Sequence, residues 1–419
     1  MKERPPPPPV VRAEEAKDEV GKPLHGRDIV CVGFADWDNE VWTNQQHLMS
    51  RLSRDNRVLF IESLGLRRPE VQARDLRRLV DRLRKGVRPL RSTDGVHVLS
   101  PLVVPLHSRP AIRRLNAAIL RFLVKRATRQ LVFREPILWG YVPQAHDLVS
   151  VLRPESIVYH CVDDIGAQKG VDADSFREAE SRFLAAADLV IASSPPLARR
   201  LQPQSRRMLY APNVADHALF AQALEAGDVD TQVHEIGRPR IVFVGTISAT
   251  KVDVPLLIDL ARLRLDWSFV LVGPVGLGDP STDVSSLQAE PNIHLLGPRP
   301  YGDLPRVLRG ADAALIPYVR NRLTDSVFPM KVFEYLAAGL AVVATPLPSL
   351  ADVAEVAIAE SASAIEDALE NIMRYDSRTA RRSRSQAARS HDWEERLAEI
   401  GRALTAVAPN SPPNLQPRA

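Results

Sequence analysis

One carboxylate, Glu334, lies early in the run Pro329-Met330-Lys331-Val332-Phe333-Glu334-Tyr335-Leu336-Ala337-Ala338-Gly339. The run reads as a helix entered through a proline and stopped by a glycine suited to a left-handed C-terminal position. The apolar stretch Leu340 to Ala344 follows at once and reads as a parallel strand covered on both faces. Helix starts carry free backbone amides and a positive dipole end, and these hold phosphates and other polar ligands. Two readings of Glu334 stand: it complements the dipole, or it takes part in a ligand site. Lys331 opposes the dipole in the same turn, which favours an anion nearby.

Three further clusters follow predicted strands. In Val244-Gly245-Thr246-Ile247-Ser248-Ala249-Thr250-Lys251, small residues let backbone amides approach an anion and Lys251 adds a charge. A surface loop with a solvated lysine is the plainer reading. Tyr159-His160-Cys161-Val162-Asp163-Asp164 ends an apolar strand, placing His160, Asp163 and Asp164 where open α/β sheets bind ligands. Carboxylates there accept bonds from sugar hydroxyls, or they cap a helix. Asp36 to His47 interleaves Trp37 and Trp42 with acids and amides. That mixture suits carbohydrate, whose C–H faces pack on indole, and equally suits a capped helix with a tryptophan in the core.

Composition is that of an ordinary globular protein, with 45% apolar and 25% charged residues. The net charge of +4 is unevenly spread. Between Arg67 and Arg129 seventeen Lys and Arg face four acids, so this segment attracts anionic surfaces. Two basic amphipathic helices are expected there. One carries Leu76, Leu79, Val80 and Leu83 on its apolar face; the other carries Ile112, Leu115, Ile119, Phe122 and Leu123. Such helices lie on anionic lipid or pack on a core. No nucleic-acid module accompanies the charge, so no nucleic-acid partner is expected.

The two cysteines, Cys31 and Cys161, sit in strand-like runs and are expected as buried thiols, and no zinc pattern occurs. No apolar run is long enough to span a bilayer, and the N-terminus lacks a signal-peptide core. The expected location is cytoplasmic. There is no Walker A motif, and Gly273-Pro274-Val275-Gly276-Leu277-Gly278 has its glycines in the wrong order for a dinucleotide fingerprint.

The 419 residues have room for two domains. Residues 1–26, opening with Pro5 to Pro9, read as a disordered tail. Alternating strands and helices from Asp28 to Tyr210 predict a parallel, doubly wound domain over 27–220. The polar, acidic stretch 221–238 reads as a linker. A second α/β series predicts a domain over 239–383, then a helix over 384–405 and a disordered tail over 406–419. Paired domains of this class bind ligands at the carboxyl ends of their strands.

Together these residues resemble the GT-B-fold retaining glycosyltransferases of family four, also called group one, from about Asp28 to Leu404. The most specific piece is Pro329–Thr345, similar to that family's donor-binding segment. Asn213-Val214-Ala215-Asp216 resembles the family's Asn-Gly-Val-Asp, and Phe243–Lys251 its diphosphate-contacting loop. Gly302–Pro317 resembles the segment that shapes the nucleobase pocket. Trp267–Pro274 and Val158–Asp164 are similar to bacterial enzymes that build surface polysaccharide, including teichuronic-acid-type transferases.

The resemblance implies two doubly wound Rossmann-like domains facing across a cleft, with 384–405 packing back toward the first. It implies transfer of a sugar from a nucleotide-diphosphate donor, UDP- or GDP-linked, to a glycolipid or polysaccharide precursor, with retention and with no metal or other cofactor. Lys251 would hold the diphosphate and Glu334 the ribose hydroxyls, with Gly245, Thr246, Ser326 and Lys331 completing the donor side. His160 would lie near the reacting sugar, and Trp37, Trp42, Asp163 and Asp164 on the acceptor side. The basic segment 67–129 fits a protein peripheral on the inner face of the cell membrane. Two positions depart from the family: Thr246 stands where it usually has Arg, and Ser326 where the first Glu of Glu-x7-Glu would be. Asp325 or Ser326 could stand in for that Glu. A catalytically weak donor-binding subunit of a polysaccharide assembly complex, and a sugar-nucleotide epimerase of the same fold, are the alternatives.

Overall fold

The computed structural model describes residues 24–39, 41–64, 90–101, 110–168, 170–277 and 279–406. Residues 1–23 and 407–419 of the two terminal tails, and the helix expected around Leu76 to Leu83, lie outside this range. The chain forms two compact units, one running to Pro212 and resuming at Leu397, the other spanning Asn213–Arg396.

The first unit contains β1 (Asp28–Val32), α1 (Asn44–Leu52), β2 (Arg57–Ile61), β3 (Leu90–Thr93), β4 (Val96–Leu99) and α2 (Pro110–Gln130). It continues with β5 (Ile137–Gly140), α3 (Val149–Leu152), β6 (Ser156–Cys161), α4 (Ala173–Ala186), β7 (Leu189–Ala192), α5 (Pro195–Leu201) and β8 (Met208–Tyr210). Its sheet has the order β3-β4-β2-β1-β5-β6-β7-β8. Among the described strands only the β3–β4 pair is antiparallel. The chain winds outward from β1 through β2, then restarts on the other side at β5, so the switch point lies between β1 and β5. Val30, Val32, Leu59, Ile61 and Leu138 alternate onto one face, where Leu120, Val124 and Ala127 of α2 and Phe183 and Leu184 of α4 pack.

The second unit begins with α6 (His217–Ala221), α7 (Thr231–Glu235), β9 (Arg240–Val244), α8 (Val254–Leu263), β10 (Ser268–Val272), α9 (Ser285–Gln288) and β11 (Ile293–Gly297). It continues with α10 (Leu304–Arg309), β12 (Ala313–Ile316), α11 (Lys331–Ala337), β13 (Val342–Ala344), β14 (Val356–Ile358), α12 (Ala362–Arg374) and α13 (Arg378–Ala387); the last helix, α14 (Trp393–Thr405), starts in this unit and from Leu397 belongs to the first. The sheet order β11-β10-β9-β12-β13-β14 puts its switch point between β9 and β12. Alternate strand residues feed two cores: Val242, Val244, Ala314 and Ile316 face α11, and Ile241, Phe243, Leu315 and Val343 face α8 and α12. Helices on both faces explain why these strands read as unbroken apolar runs.

Three sequence expectations need correction. The stretch 221–238 is folded onto the second unit rather than serving as a linker. Val233 is buried in its core, Asp230 caps α7 and pairs with Arg299, and Arg309 donates to the carbonyls of Gln222, Glu225 and Asp228. Its acidic and polar look came from caps and ion-pair partners. The single helix expected over 384–405 is two helices, broken at His391 and Asp392. On α2 the buried stripe is Ala117, Leu120, Val124 and Ala127, so Leu115 and Phe122 point outward at 50% and 65% exposure.

Candidate functional site

The switch point of the second sheet gathers most of the predicted donor residues. β9 ends at Val244, and the loop Gly245–Lys251 leaves from its carboxyl edge. Gly245 donates to Val272 O at 2.8 Å, which holds the loop against the end of β10. A Cβ on Gly273 would come within 2.0 Å of the Gly245 carbonyl oxygen, so only glycine lets the two strand ends approach this closely. The Lys251 carbonyl accepts from Val319 N at 2.8 Å, and the Thr250 carbonyl from Asn321 Nδ2 at 2.9 Å. These bonds bind the loop after β9 to the loop after β12. Among the described residues the Lys251 amine has no acidic partner.

α11 lies beside that loop. Its Gly339 has φ +78° and closes the helix by donating to Leu336 O at 2.9 Å, the left-handed stop expected from the sequence. The hydroxyl of Tyr335 accepts from Val244 N at 2.7 Å inside the core and so fixes α11 to the end of β9. Burial holds this phenol well above its ordinary pKa, so it stays protonated. Sequence reasoning missed Tyr335; its only signal was its place beside Glu334. The Lys331 side chain runs over Gly245, its Cε 3.7 Å from where a Cβ of residue 245 would be.

Glu334 is 1% exposed, and neither carboxylate oxygen accepts a hydrogen bond. Its nearest charged neighbour is Lys331 Nζ, 3.3 Å from Oε2. A buried carboxylate with unused acceptors is costly, because desolvation is offset by one cation alone. The arrangement offers two acceptor oxygens to a neutral donor such as a diol.

The loop after β12 is more self-contained than the sequence suggested. Ser326 donates its hydroxyl to Arg322 O at 3.1 Å. Asp325 is paired with Arg320 at 2.5 Å, and Arg320 also donates to Pro346 O. Asn321 Oδ1 receives Leu323 N and Thr324 N, each at 2.9 Å, forming the turn that precedes Ser326. Thr246, in the position where the family has Arg, is partly buried and uncharged. Asn213 donates to Phe328 O at 2.8 Å, anchoring the entry to Pro329, and Asp216 caps α6.

In the first unit, His160 is the penultimate residue of β6, 2% exposed, stacked on Tyr141 with ring centroids 4.8 Å apart. Asp164 is bound by Arg177 at 2.5 Å. Arg177 also reaches Glu180, which further accepts from Arg200 at 2.5 Å and Tyr159 Oη at 2.7 Å. Burial works against the Glu180 carboxylate, but the Arg200, Tyr159 and Arg177 bonds win and hold it below the ordinary range. Asp164 is thus committed to a buried network; Asp163, its neighbour, is partly exposed. The neighbouring Cys161 thiol is pushed up to about 12 by burial and by Glu180. Both cysteines are buried and free, as expected.

Trp37 is a core residue. It is 2% exposed and packs between Trp42 and Phe60, at 5.6 and 5.0 Å, so it offers no open face to a sugar. Trp42 is half-buried against His47. The amides around them hold the loop after β1: Gln45 Oε1 accepts from Phe34 N, Gln46 Nε2 donates to Asp36 O, and Asn44 Oδ1 accepts from Tyr141 Oη. Glu62, which the sequence did not single out, receives Trp37 N at 2.9 Å, Ser100 Oγ at 2.5 Å and Arg91 at 2.9 Å. Burial opposes its charge, yet Arg91, Ser100 and the Trp37 amide hold its pKa below the ordinary value.

Residues 238–374 match the family described as glycosyl transferases group 1. A protein of Bacillus subtilis (strain 168) named "Putative teichuronic acid biosynthesis glycosyltransferase TuaH" is 30% identical over 227 residues, covering 51% of this chain. The match spans 56% of that relative, a little over half its length. Among solved structures, sucrose-phosphate synthase from Thermosynechococcus elongatus is similar with TM-score 0.65 and 15% identity over 91% of this chain and all of that one. Anabaena HepE in complex with UDP is similar with TM-score 0.62 and 15% identity, again over 91% of this chain and all of the other. HepE with UDP-glucose gives 0.61 and 15%, over 90% of this chain and 99% of that one. The structural likeness bears out the expected fold class, and the sequence matches bear out the resemblance. Residues 238–374 thus match the group 1 glycosyltransferase model, and the chain has the GT-B fold of its structural neighbours.

Proposed function

We propose that this protein transfers a sugar from a nucleotide-diphosphate sugar to a glycolipid or polysaccharide precursor, with retention at the anomeric carbon. The observation that carries the reading is Glu334, a buried carboxylate whose oxygens accept no hydrogen bond. A ribose diol supplies the two donors it lacks. In the reaction the bond from the anomeric carbon to the diphosphate breaks and one to the acceptor oxygen forms. The acceptor's hydroxyl proton leaves with the diphosphate. Lys251 and Lys331 meet the charge that gathers on the departing group, an electrostatic role that does not require a metal. HepE has been crystallised with UDP and with UDP-glucose, which supports a uridine donor here, and a guanosine donor remains the other choice. The likeness to a teichuronic acid biosynthesis protein supports a surface-polysaccharide acceptor.

The test is to incubate the protein with UDP- and GDP-sugars, with and without extracted glycolipid. Nucleoside diphosphate release and the anomeric configuration of the product are then followed by NMR. Acceptor-dependent release with retained configuration supports the reading; inverted product refutes retention. A second reading, donor binding without turnover, is favoured by Thr246 and by the commitment of Asp325 and Ser326 to Arg320 and the Arg322 carbonyl. Saturable nucleotide binding with no release under any condition would establish it.

A further inference from the structure

We propose, on the donor reading above, that Tyr335 is a positioning residue coupling the two halves of the donor site, the Glu334 carboxylate and the loop Gly245–Lys251. At the switch point β9 keeps its whole ladder with β10, from Arg240–Ser268 to Val244–Val272. Its ladder with β12 covers Ile241 and Val242 alone. β12 goes on pairing with β13 through Ile316, so beyond Val242 the two central strands part. Such a parting opens the crevice where α/β sheets hold ligands. It also leaves backbone groups buried without a ladder partner, which is costly. Gly245 N–H turns to β10, so the Val244 N–H before it faces the gap.

Tyr335 fills that gap. Its hydroxyl accepts from Val244 N at 2.7 Å and donates to Val244 O at 3.4 Å, taking both roles that a β12 residue would have played. The side chain is fully buried. The contact joins the residue before Gly245 to the residue after Glu334, so one hydroxyl sets the place of the carboxylate and of the first loop amide. Lys331 closes the same bracket from the first turn of α11, where its side chain runs over Gly245. Phenylalanine would fill the same volume but leave the Val244 N–H without an acceptor and the strand end free to shift against α11. Sites built from several polar contacts lose affinity when their parts drift by fractions of an ångström.

The experiment is calorimetric titration of the full chain, wild type and Tyr335→Phe, below both melting temperatures. The probes are UDP and GDP, then the 2′-deoxy form and the bare nucleoside of whichever binds more tightly. Two affinity ratios are read: ribose over deoxyribose, which reports Glu334, and diphosphate over nucleoside, which reports the loop. Tyr335→Phe is expected to bind the diphosphate roughly tenfold more weakly, with both ratios reduced together. A second variant reaches the same contact from the strand: an ester in place of the Val244 amide removes the N–H and keeps every side chain. It is expected to reproduce both losses, and it decides the matter if Tyr335→Phe does not fold. A lower melting temperature with both ratios intact overturns the inference and leaves the hydroxyl a part of the core only. Loss of the ribose ratio alone overturns it too, because Tyr335 then serves α11 without the loop. So does an ester variant that binds like the wild type. A wild type that binds no nucleotide sinks the donor reading and this inference together, whereas wild-type binding with unaltered ratios in the variants sinks this inference alone.

Discussion

Glu334→Gln separates a ligand carboxylate from a structural one. The substitution keeps shape and volume but removes the charge and one acceptor. If a ribose diol donates to both oxygens, the bound state loses one charge-assisted bond outright and weakens the other. Hydrogen bonds to charged groups contribute about 1.5–3 kcal/mol, so affinity for the nucleoside diphosphate should fall roughly 10- to 150-fold. Stability should move the other way or stay put. The ligand-free protein holds this carboxylate at 1% exposure with a single cation 3.3 Å away and no donor; neutralising it removes a desolvation cost, while Lys331, its side chain 16% exposed, keeps access to water. The assay is calorimetry with the preferred nucleoside diphosphate and its 2′-deoxy analogue, alongside a thermal melt. The wild type should prefer the ribose form, and the variant should lose most of that preference. Unchanged affinity together with a melting point several degrees lower would refute the reasoning and make Glu334 a structural partner of Lys331.

Other perturbations follow from the same geometry. Lys251→Ala should weaken a nucleoside diphosphate roughly tenfold or more while leaving the bare nucleoside nearly unchanged, since it removes one charge-assisted contact to phosphate; equal losses in titrations of both ligands would deny the diphosphate role. Gly273→Ala forces a Cβ to within 2.0 Å of the Gly245 carbonyl oxygen, so the second unit should melt markedly lower and nucleotide binding should be lost; a near-normal melt would mean the loop relaxes freely. Glu180 has a depressed carboxylate pKa, so its contribution is present above the unfolded value near 4.5 and is lost as pH falls through the folded one. Acid unfolding of Glu180→Gln should therefore depend less on pH below about pH 5 than the wild type; parallel curves would remove this network from the acid response.

The two sheets were readable because helices cover both faces, turning each buried strand into a short apolar run between glycines and caps. Gly339 declared the end of α11 through the one backbone conformation that suits it. What stayed hidden was which polar residues look inward. The capped start of α1 and its tryptophans read equally as a sugar platform or as loop anchors, and only the contacts of Gln45, Gln46 and Asn44 decide for the loop. Asp164 looked like a sugar acceptor because the sequence does not show Arg177 folding over it from α4. The facing of α2 was misjudged because large apolar side chains lie on both sides of it, and small residues such as Ala117 and Ala127 take the buried side where the helix packs closely. Glu334 was legible as a candidate by position alone; that its oxygens lack donors is visible only in three dimensions.

The central claim is a nucleotide-diphosphate sugar donor held by the second unit. Calorimetric titration of UDP, GDP, ADP, dTDP and CMP into the wild-type protein tests it most directly. Selective, saturable binding of UDP or GDP, with CMP inert, is the predicted result. Failure of every nucleotide to bind, or indifferent binding of all five, would contradict it.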